Sequence, residues 1–229
     1  MPAKAPREII EHEVRRNLYS TMGYPLPEQA RAPHPLIVNT SARHVHLNPQ
    51  AVEVLFGKDY SFTPMKRLYQ GEFAVKETVD VIAPSGKVQP DVRILVPIRN
   101  QCQVDLSYSD ARALKMNIPV RLSGNHEGTP GCILRGPKGF YELQSGVLRA
   151  APHVHMHPKD AEFYGVQDGD YMDLTVGGSL SITFHRILCR VKPEFRLEIH
   201  IDTDEANACG LSPDSPLTLR KSTQPHQSA

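Results

Sequence analysis

Two His-x-His pairs are the residues of this sequence whose types and spacing most strongly indicate chemistry. They are His44-Val45-His46 and His153-Val154-His155. In an extended strand, side chains two positions apart project to the same face, so each pair directs two imidazoles to one point while its valine faces a core. Neutral imidazole is the commonest protein ligand for zinc-like ions. Because both pairs are followed by a similar proline-containing turn, the sequence predicts metal binding in two related places rather than a polar strand face.

Further ligands are needed, since a zinc-like ion takes about four. His200 alternates with apolar residues in a strand-like run, and Asp105 stands between apolar neighbours at a strand-to-helix junction. Each is a candidate metal ligand. The spacing leaves two alternatives open, a structural role for His200 and a helix-capping role for Asp105.

Three features are candidates for anion binding. Arg99 and Arg190 each end a strand-like segment, and arginine suits bidentate recognition of phosphate or carboxylate. The glycine-rich segment Ser123–Gly131 lacks the G-K-[ST] of a Walker loop, and it is either a backbone cradle for an anion or a wide turn. These residues support a paired-site metalloenzyme with a nearby anion pocket, and they name no substrate.

The elements that position these residues are short. Among 229 residues, 20 prolines and 15 glycines separate strand-like runs, a pattern typical of barrels or sandwiches rather than of a parallel α/β sheet. The runs are Leu36–Val38, Ala74–Ala83, Val92–Pro97, Pro119–Leu122, Cys132–Leu134, Tyr171–Val176, Ser181–Val191 and Phe195–Ile201.

Four short helices are predicted from capping residues. They are a helix from Pro49 to Phe56 with Asn48 as N-cap, a helix to Lys115 capped by Ser107 or Ser109, Lys159–Tyr164 closed by Gly165, and Ala206–Cys209 after the capping box Asp202–Glu205. Strand, His-x-His and helix recur 109 positions apart, which predicts two related barrel-like halves.

Composition excludes several function classes. The formal net charge of +1 argues against nucleic-acid binding, no apolar run approaches the length of a membrane span, and the N-terminus lacks a signal-peptide core. Four scattered cysteines without a C-x-x-C predict reduced, buried thiols in a cytosolic setting.

The two ends of the chain differ from the rest. Ile10, Val14 and Leu18 form an apolar stripe at helical spacing, and it is followed by Pro25, Pro27, Pro33 and Pro35. This segment is either an amphipathic targeting peptide on a proline-rich linker or a terminal helix lying on its own domain. Residues 221–229 are predicted to be a disordered tail.

Four segments together resemble the PduL-type phosphate acyltransferases, the phosphotransacylases of bacterial microcompartments. They are Arg43–Leu47, Gln103–Ser107, Pro152–Met156 and Glu198–Asn207, and the resemblance runs from about Ile37 to Leu211. It implies a mainly β fold with two β-barrel domains and short capping helices. Residues 34–42 plus 151–220 would form one barrel and residues 43–150 the other, and we also expect a homodimer.

The resemblance also implies a reaction, in which acyl-CoA plus phosphate and acyl phosphate plus CoA interconvert by direct attack of metal-bound phosphate on the thioester. Two zinc ions per chain are implied, one held by His44, His46 and Asp105 and the other by His153, His155 and His200. Arg99, Ser123 and Arg190 would line the phosphate site as catalytic residues. The chain departs from the family pattern at Asp105, where the family has Glu, and at His157, where it usually has a small hydroxyl residue.

The family resemblance places the protein in the lumen of a bacterial microcompartment, with shell proteins bound by residues 1–33. Two alternatives remain open. A metal-dependent hydrolase of thioesters or phosphoesters would use the same ligands without phosphate as co-substrate. A non-catalytic, shell-associated adaptor would hold structural metal in closed four-ligand sites.

Overall fold

The described part of the protein, residues 34–68 and 71–222 of a computed structural model, consists mainly of short strands. The strands are β1 (Ile37–Ser41), β2 (His44–His46), β3 (Pro64–Arg67), β4 (Phe73–Ile82), β5 (Val88–Val96), β6 (Gln103–Asp105), β7 (Val120–Arg121), β8 (Cys132–Arg135), β9 (Phe140–Leu143), β10 (Val147–Ala150), β11 (His153–Met156), β12 (Tyr171–Val176), β13 (Ile182–Val191), β14 (Glu198–Asp202) and β15 (Leu217–Lys221). The predicted mainly β fold is confirmed. The predicted peptide and linker at residues 1–33, and residues 223–229 of the predicted tail, lie outside the described residues, whereas Lys221 belongs to β15.

Four helices occur in the described ranges, at the four predicted places. They are α1 (Pro49–Phe56), α2 (Tyr108–Ala113), α3 (Pro158–Tyr164) and α4 (Thr203–Ala208). The Asn48 side chain accepts a hydrogen bond from the Ala51 amide at 2.8 Å and thereby caps α1. Gly165 ends α3 in the left-handed conformation at φ 64°, which favours glycine. Ser107, not Ser109, caps α2, and both α2 and α4 begin with a reciprocal capping box.

The strands form two curled, half-barrel sheets. The first has the order β1-β14-β11-β13-β12-β15. The second has the order β7-β10-β6-β2-β5-β4-β8-β9, with β3 paired to β4. A six-strand pattern is therefore common to both sheets, because β10-β6-β2-β5-β4-β8 has the same order and pairing directions as β1-β14-β11-β13-β12-β15. The predicted repeat of two related halves is confirmed at the level of strand pairing.

The chain contains two repeated segments, one around each His-x-His pair. Each segment contributes the strand before its His-x-His pair to the sheet formed by the other segment. Strand β1 precedes the first His-x-His pair in the chain yet pairs with β14 of the first sheet. Strand β10 precedes the second pair yet pairs with β6 of the second sheet. This reciprocal exchange brings the chain segments just before both His-x-His pairs to the boundary between the two sheets.

Each sheet covers its own apolar core. Val45 belongs to one core cluster and Val154 to the other, and both side chains are fully buried. Since alternate side chains of a strand face opposite sides, the histidines that flank each valine are turned away from its core. The cores therefore fix which face of β2 and β11 carries the imidazoles.

A partly buried cation joins the two sheets. The Arg149 guanidinium on β10 contacts Asp202 through Nε and Glu205 through Nη2, both at 2.5 Å. It also lies 4.8 Å from the centre of the Tyr108 ring. Burial favours deprotonation of Arg149, but hydrogen bonds and charge interactions with the two carboxylates outweigh it and raise its pKa. The contact links β10 of the second sheet to the start of α4, which follows the first sheet.

Candidate metal and anion site

The same backbone arrangement positions both groups of candidate ligands. Strand β2 runs antiparallel to β6, so that His44 lies opposite Asp105. Strand β11 runs antiparallel to β14, so that His153 lies opposite His200. Directly opposed residues of paired strands share a face of the sheet. The third candidate ligand of each group therefore comes from the strand beside its His-x-His pair.

The first group is His44, His46 and Asp105, whose potential ligand atoms lie within 4.8 Å of one another. The Nδ1 of His44 is 2.9 Å from the carbonyl oxygen of Ala42. When Nδ1 donates to that carbonyl, Nε2 is the unprotonated nitrogen, and it lies 3.4 Å from Oδ2 of Asp105. Ser107 caps α2, which removes the alternative that Asp105 is the cap.

The second group is His153, His155 and His200, whose potential ligand atoms also lie within 4.8 Å of one another. His153 repeats the contact of His44, because its Nδ1 is 2.9 Å from the carbonyl oxygen of Ala151. The rings of His153 and His200 stack with their centroids 5.0 Å apart. The two groups thus share the backbone contact that frees Nε2 of their first histidine.

Burial keeps the central imidazoles neutral. It is the main cause that lowers the pKa of His46 to about 2, with further contributions from His44 and Arg99. Burial likewise lowers the pKa of His155 to about 2, assisted by its histidine neighbours and Arg190, and that of His200 to about 3. Neutral imidazole is the form that binds metal, so the side chains are in the right state at neutral pH.

The fit of these residues to a metal ion can be judged from buried polar atoms that lack a hydrogen bond. Within the described ranges, Nδ1 of His46 and Nε2 of His200 are buried and make no hydrogen bond. A buried polar atom normally has a partner, because leaving it unsatisfied costs about 1–3 kcal/mol. A metal ion in each group would satisfy these two nitrogens. The donor set of imidazoles and one carboxylate suits zinc-like ions.

One cavity of about 390 Å³ contains all nine residues predicted for the site. Besides the six candidate ligands, its walls include Arg99, Ser123 and Arg190. Burial is the main cause that lowers the pKa of His153. The carboxylate of Asp105 raises that pKa, so a charge interaction connects the two groups. The cavity therefore places two candidate metal groups beside two arginines.

Each arginine lies close to one of the two groups, Arg99 to His46 and Arg190 to His155. Arg99 donates from Nη1 to Oγ of Ser123 at 3.1 Å and from Nη2 to Glu72 at 2.9 Å. Arg190 on β13 pairs with His155 across the sheet and so shares its face. Ser123 begins the glycine-rich loop and lines the cavity.

Gln103 and Glu198 are buried residues beside the candidate ligands that sequence alone did not indicate; Glu198 lines the cavity, and Gln103 contacts the lining residues Asp105 and Ser123. Each is two positions before the third candidate ligand and 2% exposed. Glu198 accepts a hydrogen bond from Asn39, and its Oε1 is 3.5 Å from Nε2 of His200. Burial raises its pKa, and the hydrogen bond from Asn39 opposes that change. The two-residue period of a strand, applied backwards from Asp105 and His200, could have identified both.

Other candidates have local roles. The ring of His157 accepts a hydrogen bond from the Lys159 amide at 3.1 Å as N-cap of α3. All four cysteines are free and buried, as predicted. His34 has Nδ1 3.0 Å from the buried carboxylate of Asp160.

Fold and site together define a mainly β protein with paired candidate metal groups and an adjoining cationic pocket. The sequence model of the phosphate propanoyltransferase family matches residues 37–212. A phosphate propanoyltransferase of Planctopirus limnophila is 50% identical over 191 residues, which cover 82% of this chain and 78% of that protein. One from Thermotoga maritima is 48% identical over 179 residues (77% and 85%), and one from Salmonella typhimurium is 41% identical over 210 residues (91% and 97%).

The chain belongs to the phosphate propanoyltransferase family, and it is a phosphate acyltransferase. The family resemblance predicted from four sequence segments is confirmed. In the described residues, every helix is too short or too polar to cross a membrane.

Proposed function

We propose that this protein transfers a short acyl group, acetyl or propanoyl, between coenzyme A and phosphate. The observation that carries the proposal is the single cavity in which two groups of candidate metal ligands adjoin Arg99, Ser123 and Arg190. Phosphate carries between one and two negative charges at neutral pH, so a cationic pocket lined with hydrogen-bond donors suits it. The names of the relatives, phosphate propanoyltransferase, support the same substrates.

Zinc is the ion we propose for both groups. His44, His46 and Asp105 would hold one ion, and His153, His155 and His200 the other. Bound there, the ions would neutralise phosphate and stabilise negative charge on the thioester oxygen. The chain's own contribution is to hold the anion with Arg99 and Arg190 and to keep the imidazoles neutral, so that the site is ready to bind metal.

Direct transfer is the route we propose. A phosphate oxygen forms a bond to the thioester carbon, the carbon–sulfur bond breaks, and the sulfur takes up the proton that hydrogen phosphate gives up. An acyl-enzyme would need an activated nucleophile. The cysteines are buried, and burial raises the pKa of Cys132 and of Cys189 to about 12. The hydroxyl of Ser123 is contacted by Arg99 and Gln103, neither of which is a base.

The test is release of free CoA thiol from acetyl-CoA and propanoyl-CoA, measured with and without phosphate. We expect turnover that requires phosphate and yields acyl phosphate. Thiol release that is independent of phosphate would indicate a metal-dependent hydrolase instead. No turnover from a protein that retains its metal would favour the adaptor.

The setting of the enzyme is a proposal that rests on the family resemblance. We propose a homodimer in the lumen of a bacterial microcompartment, with residues 1–33 binding shell proteins. Residues 34–42 plus 151–220 and residues 43–150 would be its two β-barrel domains. Arg149 of the second part contacts Asp202 and Glu205 of the first, which supports joint action of these two parts.

A further inference from the structure

Gln103 is the buried amide that connects the first candidate metal group to the glycine-rich loop. It lies on β6 opposite His46, and its side chain faces the same side as Asp105 two residues later. Its Nε2 donates to Oδ2 of Asp105 at 2.8 Å and to Oγ of Ser123 at 3.2 Å. One side chain therefore touches both a candidate metal ligand and a predicted phosphate contact.

The hydrogen-bond partners of Gln103 fix the orientation of its amide. The oxygen accepts from the Gly124 amide at 2.8 Å, and a backbone N–H can only donate. The nitrogen faces a carboxylate oxygen of Asp105, which can only accept when ionised. The reversed amide would set donor against donor and acceptor against acceptor. Gln103 therefore must donate to Asp105 and Ser123.

This orientation determines what the hydroxyl of Ser123 can do. A serine hydroxyl has one proton and two lone pairs. The lone pairs receive hydrogen bonds from Nε2 of Gln103 and from Nη1 of Arg99. Among the described residues no acceptor takes the proton of Ser123. The hydroxyl is therefore left as a donor toward the cavity, where a phosphate oxygen would be its acceptor.

The other half of the molecule lacks this arrangement. Glu198 occupies the position equivalent to Gln103, because it lies opposite His155 two residues before His200. Its carboxylate receives a hydrogen bond from Asn39 and, when ionised, has no proton to donate. The repeated backbone thus carries the donor amide of Gln103 in one half and the acceptor carboxylate of Glu198 in the other. A hydroxyl directed at an anion, that of Ser123, is therefore assigned to the first half.

We infer that Gln103 is a positioning residue that couples metal binding to phosphate binding. It holds the carboxylate of Asp105 in one orientation for the first metal group, and it leaves the Ser123 hydroxyl as an obligatory donor to an unprotonated phosphate oxygen. This inference deepens the proposed function and rests on it.

The test is Gln103→Met in the full-length, metal-loaded enzyme, because Met keeps the size of Gln and removes its donors. Hydrogen bonds to charged partners contribute about 1.5–3 kcal/mol, so we expect the KM for phosphate to rise about tenfold or more, with the KM for acyl-CoA changed less than about twofold. Partners that hydrogen-bond to metal ligands typically contribute 10–100-fold in affinity, so competition with a chelator should show one of two ions bound about that much more weakly.

Two further variants separate positioning from a general loss of structure. In a Ser123→Ala background, Gln103→Met should raise the phosphate KM no further, yet should still weaken metal binding. Thr129→Val is the matched control, since the Thr129 hydroxyl bonds to His126 and Gly146 within the same loop region and contacts neither Asp105 nor Ser123. It should lower the melting temperature and leave phosphate KM and metal affinity unchanged.

Equal rises in both KM values, or unaltered chelator competition, would overturn the inference. If Gln103→Met does not accumulate as folded protein, Gln103→Asn takes its place, because the shorter amide cannot span Asp105, Ser123 and Gly124 together. A wild-type enzyme that turns over without phosphate would refute the proposed function. The chelator competition would then still decide whether Gln103 supports the metal ligand.

Discussion

Replacing Arg99 by lysine tests whether the proposed anion pocket depends on the guanidinium or only on its charge. Arginine has five N–H donors and lysine three. Ser123 and Glu72 take two of the donors of Arg99. Three therefore remain for an anion, whereas a lysine that kept both contacts would have one. Arg99→Lys preserves the charge and removes the possibility of a bidentate contact.

The expected magnitude follows from one lost contact to an anion. A hydrogen bond to a charged group contributes about 1.5–3 kcal/mol, which corresponds to about 10–100-fold in binding. The side chain of Arg99 is 33% exposed, so solvent screening favours the lower end, and we expect a rise of about tenfold in the phosphate KM. The KM for acyl-CoA should change much less.

The assay is initial-rate thiol release with phosphate and acyl-CoA varied separately, on protein whose metal content has been checked. Arg190→Lys should give the same selective effect. Arg135→Lys is the control, because Arg135 pairs with Asp80 outside the cavity. If Arg99→Lys raises both KM values equally, or raises neither, Arg99 supports the fold and the reasoning about the pocket is wrong.

Three further results are expected. Elemental analysis of protein purified without chelator should give about two zinc-like ions per chain; Asp105→Ala should lower that number and abolish turnover, whereas Asp105→Glu should retain both, and an Ala variant that keeps its metal and rate would exclude Asp105 as a ligand. Arg149→Met should destabilise the protein by about 3–5 kcal/mol in denaturant titrations, because it leaves the buried carboxylate of Asp202 and the partly buried carboxylate of Glu205 without their cationic partner. Burial raises the pKa of Glu205 in the wild type, and losing Arg149 should raise it further. An acid whose pKa is raised on folding loses stability as pH rises above its unfolded pKa, so the defect should be larger at pH 8 than at pH 5, and a defect independent of pH would contradict this account. Deleting residues 1–33 should leave turnover and metal content near wild type while abolishing co-purification with shells, whereas loss of most activity would show that this segment serves the catalytic part.

The features that sequence alone predicted correctly depend on neighbours in the chain. A period of two placed the histidines on one face of a strand, and capping residues placed four helices. Asn48 and Ser107 cap their helices through atoms only three residues away. Local hydrogen-bonding chemistry of this kind is readable from spacing, which explains the agreement.

The features that sequence missed depend on distant pairing. No strand was predicted over β10, because its four residues carry no distinctive alternation and their role arises from pairing with β6 and β7. The hydrogen bond from Gln103 to Ser123 joins residues twenty positions apart. Nothing in the local sequence of either residue indicates the other, since the sheet and the loop after β7 bring them together.

The repeated scaffold explains why two groups of ligands form, and its departures from symmetry explain how they can differ. Equivalent positions hold Asp105 and His200, and the positions two residues earlier hold Gln103 and Glu198. At these two positions each half therefore has one buried carboxylate, as a candidate ligand in the first and beside a candidate ligand in the second. A carboxylate near each proposed ion offsets its charge in both halves, while only the first half retains an amide that can donate. Between the two halves the carboxylate thus changes from one of these positions to the other, and the number of carboxylates stays the same. The donor amide of Gln103 occurs in the half that holds Arg99 and Ser123.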